Sequence, residues 1–144
     1  MFSFFSTLDK PTRKTLTACF LAFFFNGIMT LMMGSILPDM KAAYHLTDTQ
    51  SGLMLSGHSA GNLVASFVGG LLPLWLGRRK SIVVLSSAAV LGFAMMLLSG
   101  NPVWLVIAFV FTGTGRGSIT NFNNGTVTRV TNGNPSASNL LHSF

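Results

Sequence analysis

From Leu16 to Leu37 the chain carries no charged side chain. At 1.5 Å per residue this stretch makes about 33 Å of helix, against a hydrocarbon core of about 30 Å. Three further runs follow at 51–76, 82–98 and 103–125, and in all four the one charged side chain is Arg116. Backbone in lipid has no water to bond, so runs of this length cross as helices. The expected fold is an all-α membrane protein of four transmembrane helices. Residues 1–15 precede them, 126–138 form a loop, and 139–144 start a fifth helix that is cut short. A signal peptide is the rival for the first run, because Lys10, Arg13 and Lys14 precede it. Signal h-regions are shorter, about 7–15 residues, and end in small residues.

Composition agrees. Apolar residues make up 49% of the chain and charged ones 8%, too few to coat a soluble domain. Nine basic residues against three acidic ones would suit a nucleic-acid binder. However, such proteins gather their bases on one polar face, whereas these sit in short clusters between apolar runs. No nucleic-acid partner is expected; the partner is a lipid bilayer. The single cysteine, Cys19, lies inside the first run and reads as a small buried apolar residue.

Basic residues tend to stay on the cytoplasmic side. Lys10, Arg13 and Lys14 precede the first run, Arg78, Arg79 and Lys80 follow the second, and Arg129 follows the fourth. The opposite loops hold Lys41 beside Asp39 and Asp48. These positions agree with a multi-pass protein of the plasma (inner) membrane whose N-terminus is cytoplasmic. The short links at Gly77–Lys80 and Ser99–Pro102 imply antiparallel hairpins.

Polar residues inside the spans carry the functional signal. Gly57, Gly61, Ala65 and Gly69 recur every four residues, a stripe that admits a close neighbouring backbone. Beside it His58 and Asn62 share a face and need partners, either on other helices or in a watery path. In the fourth run Gly113 and Gly117 lie beside the series Thr112, Arg116, Thr120 and Asn124. Arg116 sits about 20 Å into the membrane by helical rise. A charge at that depth either lines a transport path or snorkels to the cytoplasmic interface. Asn26 is the cavity candidate of the first run. Asn26, His58, Asn62, Arg116, Thr120 and Asn124 are thus the candidate translocation-path residues. There is no phosphate-binding loop, no nucleophile–base pair and no metal-ligand spacing, so neither an enzyme nor a cofactor is expected.

The stretch from Gly70 through Gly77-Arg78-Arg79-Lys80 resembles the loop motif between helices two and three of the major facilitator superfamily. Gly70, Gly77, Arg78 and Arg79 match, while Leu74 and Trp75 stand where an Asp and a base are expected. Leu37-Pro38, Leu46-Thr47 and Gln50-Ser51-Gly52-Leu53 are similar to the junction of helices one and two in the fucose permease branch. Gly115-Arg116-Gly117 with Asn124, then Asn139 to Phe144, is similar to that branch's fourth helix and the start of its fifth. The resemblance implies the N-terminal portion of a twelve-helix transporter that moves a small solute, a sugar or polyol, by alternating access. It also implies the remaining helices as partners, and a coupling ion if transport is active. Fucose-type proton symporters place carboxylates in helices one and four, where this chain has Gly34 and Thr120. No Asp or Glu occurs within the spans, so coupling through sodium, through other helices, or none at all stays open. The alternative is a small four-helix oligomer, structural or efflux-type; at about a third of a twelve-helix protein the chain fits either, and the new hydrophobic segment starting at its end favours the fragment.

Overall fold

The computed structural model describes residues 8–142, so residues 1–7 and 143–144 of the expected end segments lie outside it. The described residues form five helices: α1 (Lys10–Ala43), α2 (Asp48–Leu76), α3 (Arg78–Leu98), α4 (Pro102–Val130) and α5 (Pro135–Leu141). No strand occurs among them. The first four are each long and apolar enough to cross a membrane.

Each long helix starts where its sequence supplies a cap. Asp9 accepts from Thr12 N ahead of α1, with Pro11 in the first turn. Thr47 and Gln50 close a reciprocal capping box on α2, at 2.9 and 3.2 Å. Asn101 Oδ1 accepts from Val103 N at 2.9 Å ahead of α4, with Pro102 first in the helix. The α2–α3 junction is tighter than its sequence suggests. Gly77 alone separates the helices, at φ +74°, a backbone conformation open to glycine. Arg78, Arg79 and Lys80 are therefore helical and occupy the first turn of α3, where a loop was expected.

The apolar runs also understate the helices at other ends. α1 passes through Pro38 to Ala43, and α4 continues through Thr126 and Arg129 to Val130. The expected loop 126–138 is thus helical except at 131–134, where Asn132 and Gly133 take positive φ. Hydrophobicity marks what lipid will accept, whereas helix ends are set by caps and turns, so the two need not coincide.

α4 is the central helix: it packs against α1, α2, α3 and α5, most extensively against α2. The α2–α4 seam is built from small residues on both sides. A Cβ on Gly61 would lie 2.0 Å from Val110 O, and one on Gly113 would lie 1.9 Å from His58 O. The two backbones touch, and neither position admits a side chain. α5 folds back on the bundle, burying Ala137 and Leu141 with Leu16, Cys19 and Val127. The outer faces carry Phe25, Leu31, Phe67, Leu74, Trp75, Val90 and Leu97 exposed, the surface expected of a chain solvated by lipid.

Candidate functional site

The seam that brings α2 onto α4 also sets the polar centre. Because Gly113 lets the His58 carbonyl approach, the His58 imidazole lies beside the preceding residue of α4, Thr112. Nδ1 and Thr112 Oγ1 are 3.2 Å apart. Thr112 gives its own proton to the Phe109 carbonyl at 2.8 Å. Its oxygen can then only accept, so Nδ1 carries the donated proton and Nε2 presents a lone pair. Nε2 is buried and meets no hydrogen-bond partner among the described residues.

The same logic holds across α1 and α4. Asn26 Nδ2 donates to Thr120 Oγ1 at 3.1 Å, while Thr120 donates to the Arg116 carbonyl at 3.1 Å. Thr120 is therefore an acceptor toward Asn26, which turns Oδ1 of the amide away. Asn26 is 4% exposed, and its Oδ1 meets no partner among the described residues. Leaving such an acceptor unmet costs about 1–3 kcal/mol.

These groups converge. Asn26, Thr30, His58, Phe93, Thr112 and Arg116 line one small cleft of about 10 Å³, room for a single water-sized group. Arg116 is half-buried there, and among the described residues no carboxylate pairs with its guanidinium. The centre thus holds two buried acceptors with no hydrogen-bond partner among the described residues, on residues that share the cleft with one permanent cation. It can accept hydroxyl or ammonium protons, and it can donate to an oxygen.

Of the residues singled out in the sequence, Asn26, His58 and Arg116 meet at the cleft, with Thr120 holding Asn26 from behind. Asn62 and Asn124 do not line it. Asn62 packs on the seam, where its Oδ1 lies 2.4 Å from a Cβ built on Gly117. Asn124 is half-buried one turn beyond Thr120. Thr112 and Thr30 belong to the centre although the sequence reading did not place them there. The signal for Thr112 was its position one turn before Arg116; the pairing with His58 needed the helix register.

The loop residues have a separate arrangement. Arg78 Nη2 donates to Thr126 Oγ1 at 2.7 Å and to the Phe122 carbonyl at 3.3 Å, tying the start of α3 to the last third of α4. Gly77 makes the turn that aims it. Arg79 is exposed, and Gly70 has open space around its Cα.

Three membrane-length helices packed around a fourth, glycine-rich one, with a polar centre between them, define a polytopic membrane protein. The sequence model of the Major Facilitator Superfamily matches residues 19–135, and the chain belongs to that superfamily. It is similar to the Membrane protein MosC of Rhizobium meliloti, 29% identical over 115 residues, which are 76% of this chain and 27% of that protein. The chain therefore spans about a quarter of that relative's length, 27%. No solved structure matches it.

Proposed function

We propose that the chain is the N-terminal part of a solute transporter of the fucose permease type, moving a sugar or polyol across the plasma membrane by alternating access. The N-terminus and the α2–α3 turn then lie in the cytoplasm, as the placement of the basic residues favours. The observation that carries the reading is the convergence of Asn26, His58 and Arg116 on one cleft between membrane helices. A purely structural membrane core has no reason to leave two lone pairs bare beside a cation. Hydroxyl groups of a solute would meet those lone pairs, with Thr120 and Thr112 holding the amide and the imidazole in the receiving orientation. A second set of helices would close the path and supply whatever coupling group the transporter uses, since these spans hold no carboxylate.

Reconstitution tests this directly. Vesicles carrying a complete twelve-helix protein that begins with this chain should take up a labelled sugar or polyol saturably, and residues 1–144 alone should not. Saturable uptake by residues 1–144 alone would replace this reading with a self-assembling four-helix transporter. No uptake by either would remove the sugar assignment.

A further inference from the structure

Two buried acceptors on different helices border one small space. Asn26 Oδ1 on α1 and His58 Nε2 on α2 are covered by protein and meet no hydrogen-bond partner among the described residues. Asn26 and His58 both line the cleft of about 10 Å³, together with Thr30, Thr112 and Arg116. Neither acceptor is relieved by a local adjustment. Turning the Asn26 amide over would trade the unmet oxygen for an unmet Nδ2, since Thr120 occupies the other side at 3.1 Å. The His58 ring is held at Nδ1 by Thr112, 3.2 Å away. Between membrane helices lipid supplies no donor, so a buried acceptor left unmet is costly. Because both atoms are covered, whatever meets them is held inside the bundle rather than on its surface.

We infer that the cleft binds one ordered water, which donates one proton to Asn26 Oδ1 and the other to His58 Nε2. The inference concerns the unloaded chain and goes beyond the transporter reading: a solute hydroxyl reaching either acceptor must displace this water. Size selects it first, since a space of about 10–15 Å³ holds one water. Donor count comes next: two acceptors on separate helices need two protons from one small group, and water carries two. Charge excludes the alternatives. A sodium or ammonium ion would share the cleft with the Arg116 guanidinium, and a small anion would face two lone pairs. Water is neutral, and its oxygen can accept from Arg116, which makes about three partners, the usual number for a buried water. α1 and α2 each pack on α4, and the water closes the remaining side of that triangle.

The test is water-edited solid-state NMR of the chain in lipid bilayers without solute, with isotope-labelled histidine and the His58 signals assigned from a His58→Gln spectrum. Magnetisation should pass from water to His58 Nε2 in the wild type. That transfer should be lost in Asn26→Leu, which fills the space of the amide but offers no acceptor. Asn26→Asp, which keeps an acceptor oxygen and guards against a Leu variant that merely misfolds, should retain it. No transfer in the wild type overturns the bound water. Transfer unchanged in Asn26→Leu overturns the bridge and leaves His58 in contact with bulk water alone. Loss in Asn26→Asp as well as in Asn26→Leu shows that the transfer does not follow the acceptor, and overturns the inference too.

Discussion

Asn26 Nδ2 donates to Thr120 Oγ1 across α1 and α4 at 3.1 Å, joining the first and the last of the four long helices. A double-mutant cycle of Asn26→Ala and Thr120→Val, read by unfolding in detergent, should give a coupling energy of about 0.6–1.7 kcal/mol, the range seen between membrane helices. Additive effects would show that the contact contributes nothing.

The α2–α4 seam makes a sharper demand. Gly113→Ala sets a Cβ 1.9 Å from the His58 carbonyl, and the helices must separate to admit it. The expected loss is about 3 kcal/mol, accompanied by displacement of His58 from Thr112. Gly27→Ala is the control, with nothing within 4 Å of its Cβ, and should be neutral or up to about 1 kcal/mol stabilising. Thermal unfolding of both variants in the same detergent decides the matter.

Much of this architecture was legible in the sequence, and the reasons for the exceptions are physical. The all-α fold of membrane-length helices follows from the charge-free runs alone. The stripe of Gly57, Gly61 and Ala65 announced a close neighbour, and α4 is that neighbour. Spacing within one helix says which residues share a face; it does not say which residue of another helix they meet. For that reason His58 and Asn62, four apart and equivalent by spacing, separate in the fold. His58 reaches the cleft, and Asn62 is absorbed by packing on Gly117. The helix ends were missed for a different reason, since Gly77 turns the chain by its φ and needs no polar run to do so.

Arg78 offers a further check. Its Nη2 bridges Thr126 and the Phe122 carbonyl, a geometry that a lysine ammonium on its different stem does not reproduce. Arg78→Lys should cost about 1 kcal/mol in unfolding free energy, whereas Arg79→Lys, at an exposed position, should be silent.

Outside the membrane, the hydrogen bond from Lys41, together with its charge, holds the Asp48 carboxyl below the usual carboxylate range. A depressed folded pKa means that the contribution is present above the unfolded value of about 3.9 and is lost as pH falls through the folded one. Carboxyl NMR should therefore place the Asp48 midpoint below about 3.9, and Lys41→Met should raise it. An unchanged midpoint in Lys41→Met would assign the depression to another cause.

Topology is testable in the same preparation. With Cys19 replaced by Ala, an impermeant thiol reagent applied to intact cells should label Asn101→Cys and spare Lys80→Cys. The reverse pattern would invert the orientation proposed from the basic residues.

The central claim is that the face of the bundle carrying Asn26, His58 and Arg116 borders an aqueous path, while the opposite faces border lipid. In the Cys19→Ala background reconstituted into liposomes, a small charged thiol reagent should modify Thr30→Cys and His58→Cys, both at the cleft. It should leave Phe25→Cys and Val64→Cys, exposed positions on the same two helices, at least tenfold slower. Modification at 25 and 64 as fast as at 30 and 58, or no modification at 30 and 58, would contradict a water-filled path and return the polar centre to the role of interhelical packing.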